Sequence, residues 1–373
     1  MKIAIVTLPL HTNYGGKLQA YALQTVLERL GCEVEHLQPF VRYPRLHSRW
    51  KMPLVYVKRT IRKYLGGEKE LPIFVDPRKW IRENTDLFIS SHIHIRYLNN
   101  SDWNVASMQS YDAIIFGSDQ IWRPLYAEPL ERYMGDFLGT SSIKRIVYAA
   151  SFGTDKNEYT FAQIQKSSVL LGKFHAVSVR EQSAVIICKE RFGVESVHLL
   201  DPTLLLDRND YISLFHEAAT PPSKGKMGVY VLDESEQTNT FINRVSQHNG
   251  MNVFRIGSKV ENWSASIIER KQPPIERWIR AFYDAEFIIT DSFHGTVFSI
   301  LFHKPFICIG NKDRGMSRFY SLLNMFGLEE RLVDISHLDS CSFSEINWSD
   351  VDEILLQKRS EAMSFVKNKL NIY

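Results

Sequence analysis

Residues 287–310 read FIITDSFHGTVFSILFHKPFICIG. Apolar runs at 287–290 and 306–310 bracket a polar turn and an apolar segment that is long enough for a short helix. Short runs rich in β-branched and aromatic residues are typical of buried strands. This order therefore predicts a strand, a helix and a second strand of one parallel sheet. The polar turn then lies at the carboxyl end of its strand, where open α/β sheets bind their ligands.

The same alternation of apolar runs and amphipathic segments extends over the chain. Strands are predicted at 2–7, 34–37, 113–117, 145–150, 175–179, 227–232, 252–256, 287–290 and 306–310. Helices are predicted between them, for example at 16–30, 181–192 and 238–248. Because 373 residues exceed the usual size of a single hydrophobic core, two domains are expected. The pattern favours an α/β fold with two Rossmann-like domains whose parallel sheets face a cleft.

A break in this rhythm predicts the domain junction. Residues 200–226 carry three prolines and the turn cluster PPSKG. We expect an N-terminal α/β domain over 1–204 and a C-terminal α/β domain over 205–373. An amphipathic helix at 350–370, capped by Ser349, could pack back on the first domain.

Composition excludes several classes of protein. The net charge of +3 is too small to indicate nucleic acid as a partner. No apolar window has the length of a membrane span or a signal peptide, so a cytoplasmic protein is expected. The cysteines are far apart, without metal-ligand or redox spacing, which favours buried thiols and predicts no metal; they are Cys32, Cys188, Cys308 and Cys341.

The turn at 291–295 has the composition of an anion site. A helix that begins near Gly295 would direct its N–H groups into the cleft, beside the hydroxyls of Ser292 and Thr296. His294 stands at this mouth, and an imidazole can donate a proton near neutral pH. The alternative is that His294 caps the helix. The surrounding acid, hydroxyls and glycine favour a functional role.

Two turns in the first half carry further candidates. Asn13, Gly15 and Gly16 follow the first predicted strand and suit a turn that brings backbone N–H groups close to a ligand, or simply a tight turn. Asp119 follows the third predicted strand. It could accept a proton from a substrate hydroxyl, or it could cap the next segment.

Arginines after strand ends suggest anion binding. Arg180 presents a planar fork of donors to a carboxylate or phosphate, although a local ion pair with Glu181 or an ion pair between the domains is the alternative. Arg314 and Arg318 follow the strand at 306–310. They could widen the anion site or be solvated loop charges.

The ordered motifs resemble the polysaccharide pyruvyl transferase family. From Asn13 to Leu328 they are NYGGKLQAYALQ, FGSDQIW, YAASFG, SVRE, LDPTLLL, TDSFHGTVFSILFHKPFI and SRFYSLLNMFGL. The resemblance implies two domains similar to the glycosyltransferase B fold, with the acceptor on the first and phosphoenolpyruvate on the second. It also implies His294 as the catalytic acid and Arg180 as a residue that binds the donor.

The activity implied by this resemblance is transfer from phosphoenolpyruvate to a pair of sugar hydroxyls. The product would be a pyruvate ketal on a bacterial capsule or exopolysaccharide, or on a lipid-linked precursor, and no cofactor is implied. A glycosyltransferase of similar fold that uses a nucleotide sugar is one alternative. A non-catalytic glycan-binding protein is another.

A basic segment suggests where such an enzyme would work. Between Arg42 and Lys69 there are nine Lys and Arg residues against one acid. A helix over 50–65 would carry an apolar stripe flanked by these charges, as peripheral membrane helices do. The alternative is a solvated basic face over an ordinary core stripe.

Overall fold

The computed structural model of the chain describes residues 1–40, 57, 77–310, 315–334 and 344–372. This part of the chain forms two parallel β-sheets with helices between the strands. The predicted α/β architecture with two parallel sheets is therefore confirmed. We refer to the parts that carry the two sheets as the first and second domains; the boundary at 204/205 remains a prediction.

The first sheet has seven strands. In chain order they are β1 (Lys2–Val6), β2 (Glu33–Pro39), β3 (Ile95–Leu98), β4 (Ala113–Asp119), β5 (Lys144–Ala150), β6 (Ala176–Val179) and β7 (Val197–His198). Across the sheet the order is β3-β2-β1-β4-β5-β6-β7. The winding reverses between β1 and β4, which opens a crevice at their carboxyl ends. Ile3 and Ile5 pack into one core and Ala4 and Val6 into another, so both faces of this sheet are covered.

The second sheet has five strands. They are β8 (Met227–Tyr230), β9 (Val253–Arg255), β10 (Phe287–Thr290), β11 (Phe306–Gly310) and β12 (Leu332–Asp334), in the order β12-β11-β10-β8-β9. Here the winding reverses between β8 and β10. The strands β10 and β11 have the predicted bounds, whereas the short strands β3, β7 and β12 were not predicted.

Helices connect these strands. They are α1 (Tyr14–Arg29), α2 (Pro77–His92), α3 (Val105–Met108), α4 (Phe161–Leu171), α5 (Gln182–Phe192), α6 (Arg208–Glu217), α7 (Glu236–Asn249), α8 (Ile267–Arg270), α9 (Ile275–Asp284), α10 (Phe293–Leu301), α11 (Ser317–Phe326) and α12 (Trp348–Leu370). Over the described ranges, none of them has both the length and the apolar character needed to cross a bilayer. Apart from residue 57, the predicted membrane-surface segment 50–65 lies outside these ranges.

The C-terminal helix α12 packs against two separate hydrophobic clusters. Val351 and Leu355, near its start, belong to the cluster that contains residues of the second domain. Val366 and Leu370, near its end, pack with Ile3 and Ile5 of the first sheet. Its predicted cap was wrong. The helix begins at Trp348, and the side chain of Asn347 accepts a hydrogen bond from the backbone N–H of Ser349 at 3.2 Å. Asparagine satisfies a free N–H group at this position as well as serine does.

The two domains share one continuous apolar core. Tyr14 of α1 stacks on Trp278 of α9, with ring centroids 5.6 Å apart and an angle of 11° between the planes. The Tyr14 hydroxyl also donates to the carbonyl of Pro273 at 2.8 Å. These contacts fix the first turn of α1 against the second domain and so determine the width of the cleft between the sheets.

Candidate functional site

A cleft of about 330 Å³ lies between the carboxyl ends of the two sheets. The first domain contributes Asn13, Tyr14, Asp119 and Gln120 to its lining, and the second contributes Asp291, Ser292, His294 and Arg318. Five of the predicted site residues are thus brought together in the cleft: Asn13, Asp119, Ser292, His294 and Arg318. Arg314 lies outside the described residues.

The turn after β10 places His294 in the first turn of α10. The Asp291 carboxylate accepts the backbone N–H groups of Leu232 and Asp233 at 2.8 and 2.9 Å, which ties this turn to the loop after β8. Ser292 caps the helix by accepting the N–H of Gly295 at 3.4 Å. The capping role left open for His294 therefore belongs to Ser292.

Two neighbours of His294 face the protein interior. A Cβ added at Gly295 would lie 2.2 Å from Oγ1 of Thr290, so the glycine allows the helix to pack closely on β10. Thr296 is fully buried and its hydroxyl donates to the carbonyl of Ser292 at 3.1 Å. Neither lines the cleft, whereas Phe293 and His294 of the same buried helix do.

The first turn of α1 packs against the imidazole. A Cβ added at Gly15 would lie 1.9 Å from Nδ1 of His294, so no larger residue fits there without movement. Asn13 caps α1 by accepting the N–H of Gly16 at 3.2 Å. The predicted tight turn is thus the first helical turn itself. Gly15 makes room for His294, and the N–H of Gly16 is used by the cap.

Asp201 is a member of the site that the sequence did not single out. Its Oδ2 lies 3.6 Å from Nε2 of His294, an ion-pair distance longer than a hydrogen bond. Its Oδ1 accepts the N–H and hydroxyl of Thr203 at 3.0 and 2.6 Å. Burial alone would raise the pKa of Asp201, but the positive charges of His294 and Arg180 hold that pKa well below its usual range. The feature of the sequence that could have pointed to Asp201 is an acidic residue directly after the leucines that follow β7.

Arg180 is locked between two carboxylates. It donates to Oδ2 of Asp201 at 2.7 Å and to Oδ1 of Asp119 at 3.1 Å, and its side chain is only 1% exposed. The predicted alternative of a local pair with Glu181 is not what holds it, because Glu181 accepts from Ser151 and from backbone N–H groups. The Asp119 carboxylate likewise accepts a hydrogen bond from Arg180, so this contact, rather than a helix cap, accounts for its position.

Arg318 brings a second positive charge to the cleft. Its guanidinium carbon lies 5.8 Å from the centroid of the Phe293 ring, and that of Arg180 lies 4.5 Å from the same centroid. Burial and the charge of Arg180 lower the pKa of Arg318 to about 10, so it remains protonated at neutral pH. Arg318 lines the cleft, whereas Arg180 does not. The alternative of a solvated loop charge is wrong for Arg318, which is 7% exposed.

The cleft therefore combines features that suit an anionic ligand. The N-terminal turns of α1 and α10 both border it, and helix N-termini favour negative charge. Arg318 adds a full positive charge, and the imidazole of His294 also lines the cleft. In the described part of the chain, no group of three or more His, Cys, Asp or Glu side chains could hold a metal ion.

These features define an α/β protein with two parallel sheets and a charged cleft between their carboxyl ends. Residues 13–313 match the sequence pattern of the polysaccharide pyruvyl transferase family. This chain belongs to that family. No protein of curated function matches it.

Several solved structures have a similar architecture. The UDP complex of S. aureus MnaA is 11% identical, has a TM-score of 0.47, and the match covers 100% of this chain and 97% of that one. The UDP-GlcNAc 2-epimerase of Neisseria meningitidis is 10% identical, with a TM-score of 0.45 and coverage of 100% and 95%. The E. coli ADP-heptose LPS heptosyltransferase II is 9% identical, with a TM-score of 0.37 and coverage of 96% and 99%.

Proposed function

We propose that this chain transfers the three-carbon unit of phosphoenolpyruvate to two hydroxyls of one sugar residue, forming a pyruvate ketal. The acceptor belongs to a bacterial surface polysaccharide or its lipid-linked precursor. The observation that carries the proposal is the setting of His294. This buried imidazole lines the cleft, its Nε2 has no hydrogen-bond partner within the described residues, and a carboxylate lies 3.6 Å away.

The donor fits the charges of the cleft. Phosphoenolpyruvate carries a phosphate and a carboxylate, and the cleft offers two helix N-termini and Arg318. Charge-assisted hydrogen bonds are worth about 1.5–3 kcal/mol each, so a few of them hold such a ligand without a metal. In this proposal Arg180 supports the donor by its positive charge and by fixing Asp201 rather than by open contact. Ser292, which carries a hydroxyl, also lines the cleft.

His294 supplies the proton that starts the reaction. Nδ1 packs against Gly15, and Nε2 is buried 3.6 Å from Oδ2 of Asp201, so the proposal requires the imidazole to turn toward the cleft when the donor binds. The turned imidazole protonates the methylene carbon of phosphoenolpyruvate, which leaves an oxocarbenium-like centre at C2. The Asp201 carboxylate stabilises the positive charge on the ring before transfer. It therefore acts as a positioning residue.

The remaining steps balance without a further reactant. One sugar hydroxyl attacks C2, the bond from C2 to the phosphate oxygen breaks, and phosphate leaves with that electron pair. The second hydroxyl attacks the same carbon and closes the ketal. Of the two hydroxyl protons, one replaces the proton that His294 gave to the methyl group and the other leaves with phosphate. Asp119, which lines the cleft, is the candidate base.

The test is incubation with phosphoenolpyruvate and a panel of galactosides, glucosides and N-acetylhexosamines. We expect phosphate release with at least one acceptor and a new methyl signal of a pyruvate ketal by NMR. In D₂O the new methyl group should carry one solvent deuterium, because its third hydrogen comes from the enzyme.

Nucleotide sugars tested in parallel separate the alternatives. Release of a nucleoside diphosphate, with no phosphate released from phosphoenolpyruvate, would replace the proposal by the glycosyltransferase alternative. Glycan binding without either reaction would favour a non-catalytic protein. The His294→Gln variant is the control for contaminating phosphatase, because it should release no phosphate.

A further inference from the structure

A second cavity of about 630 Å³ lies at the carboxyl ends of β8 and β9. Leu232, Ser258 and Glu261 line both this cavity and the cleft, so the two spaces adjoin. We propose that this cavity is the acceptor subsite and that it binds a neutral saccharide whose reacting diol projects into the cleft. This inference rests on the proposed function, and it places the acceptor on the second domain rather than on the first.

The polar atoms of the cavity suit hydroxyl groups. Glu234 pairs with Arg255 at 2.9 Å, and Glu269 pairs with Lys259 at 2.7 Å. Such pairs present donors and acceptors side by side, which matches a sugar hydroxyl that both donates and accepts. The amide of Asn262 adds one more group of each kind.

The charge of the cavity selects against anionic ligands. Its lining holds four carboxylates against two cations; they are Asp233, Glu234, Glu261, Glu269, Arg255 and Lys259. A phosphate, a diphosphate or a uronic acid would therefore meet net negative charge. The adjoining cleft, with Arg318 and two helix N-termini, has the opposite preference. The two spaces are complementary to an anionic donor and a neutral acceptor.

An exposed aromatic residue follows one of the cavity's lining residues in the sequence. Trp263 follows the lining residue Asn262 and is 82% exposed, and the Arg270 guanidinium lies 4.3 Å from its ring centroid. An indole with this much exposed apolar surface is a binding platform, since its face can stack on the C–H face of a pyranose. We assign Trp263 this role.

Glu261 marks the point where acceptor and donor meet. It lines both spaces, and its Oε1 accepts a hydrogen bond from Thr12 of the first domain at 3.3 Å. A carboxylate at this junction can hold one of the two reacting hydroxyls by accepting its proton in a hydrogen bond. Glu261 is therefore a residue expected to contact the acceptor and align the diol.

The experiment measures saccharide binding and turnover separately. Binding of methyl galactoside, methyl glucoside, N-acetylglucosamine and methyl glucuronide is followed by saturation-transfer NMR on the full-length chain without phosphoenolpyruvate. Steady-state phosphate release is then measured against acceptor and donor concentration. The variants are Trp263→Ala and Glu261→Gln. Phe161→Ala is the matched control, since Phe161 is also an exposed aromatic, 75% exposed, on the first domain.

We expect the variants to change the kinetic constants for the acceptor and for phosphoenolpyruvate differently. Trp263→Ala should raise the acceptor KM about tenfold, as the loss of one aromatic contact implies, and leave the KM for phosphoenolpyruvate unchanged. Glu261→Gln should lower kcat and weaken saccharide binding. Phe161→Ala should change neither. Neutral glycosides should bind more tightly than methyl glucuronide.

Several outcomes would overturn the inference. Equal saccharide binding by wild type, Trp263→Ala and Glu261→Gln would remove the site, as would binding of none of the neutral glycosides. Displacement of a bound glycoside by UDP, together with tight UDP binding, would assign the cavity to a nucleotide. If glycosides bind through Trp263 but phosphoenolpyruvate is never consumed, the saccharide site stands and the proposed reaction fails.

Discussion

The two walls of the cleft use their charged side chains in different ways. On the first domain Arg180 binds Asp119 and Asp201, and the three side chains are 1%, 6% and 0% exposed. On the second domain His294 and Arg318 line the cleft itself. The first wall is held together by its charges, whereas the second places its charged side chains at the cleft.

This difference follows from the cost of burying charge. A buried ion is tolerated only when partners and hydrogen bonds satisfy it, which the carboxylates on Arg180 do. A charge that must meet an incoming anion cannot be saturated in advance. A motif residue at a strand end can therefore be part of the site without contacting the substrate. The predictions below test whether the two walls divide the work in this way.

The largest effect is expected from His294→Gln. Because the amide cannot protonate the methylene carbon, turnover should fall about 10³–10⁴-fold, the upper range for a general acid. Thermal stability should change little. His303→Gln is the control, since His303 pairs with Asp352 away from the cleft. Steady-state phosphate release measures the turnover, and a melting curve measures the thermal stability. Near-normal turnover would show that the second wall does not supply the acid.

Removal of Arg180 should act mainly on folding. Arg180→Met removes the cation that binds the buried carboxylates of Asp119 and Asp201, so the free energy of unfolding should drop by about 3–5 kcal/mol. Arg180→Lys keeps one charge but loses the fork that reaches both carboxylates, and an intermediate loss is expected. Urea denaturation measures both.

The control for this pair of variants is Lys166→Met. Lys166 pairs with Glu131 at the surface, where the two side chains are 57% and 29% exposed, and such pairs contribute less than about 1 kcal/mol. If Arg180→Met is as stable as the wild type while its apparent KM for phosphoenolpyruvate rises sharply, the first wall binds the donor directly. The role implied by the family resemblance would then replace the one argued here.

Gly15→Ala tests the contact between the two walls. The new Cβ would lie 1.9 Å from Nδ1 of His294, so the ring or the helix must move. A displacement of about 1 Å in a catalytic group can cost about 100-fold in rate. Gly16→Ala is the matched control, because its Cβ would only reach the Asn13 side chain at 3.5 Å. Equal turnover in both variants would show that the position of the imidazole is not set by α1.

The sequence predicted the second wall better than the first. The strand at 287–290 and the turn with Ser292 and His294 have local signals, namely apolar periodicity and cap chemistry. The sequence did not show which side of the helix faces the cleft, because α10 is buried on every side and lacks a polar face. Gly295 and Thr296 were therefore predicted as binding residues although they face the core.

The first wall depends on contacts between distant parts of the chain. Asp201 follows a two-residue strand and precedes a proline, so it was taken as part of a domain junction. The approach of Asp201 to Arg180 and His294 depends on how the two sheets pack together, and no local sequence pattern predicts that packing. The same holds for Gly15, whose partner is on the other domain. The edge strand β3 was missed because only one of its four residues, Leu98, is buried and its apolar pattern is weak.

The smallest effect is a pH dependence of the first wall, tested with Asp201→Asn. Asn must turn its NH₂ group toward either Arg180 or Thr203, where the carboxylate accepts hydrogen bonds now. Near pH 7 the variant should lose about 1.5–3 kcal/mol of unfolding free energy, the value of a hydrogen bond to a charged group. Because the pKa of Asp201 is depressed in the folded protein, the carboxylate stabilises the fold above the unfolded-state pKa of about 4. That contribution is lost as the pH falls further. Urea titrations at pH 7, 5, 4 and 3 should therefore show a constant gap between wild type and variant at the higher pH values and a narrowing gap below about pH 4. A gap that does not change with pH would mean that Asp201 acts through shape alone, and that the first wall is not held by its charges.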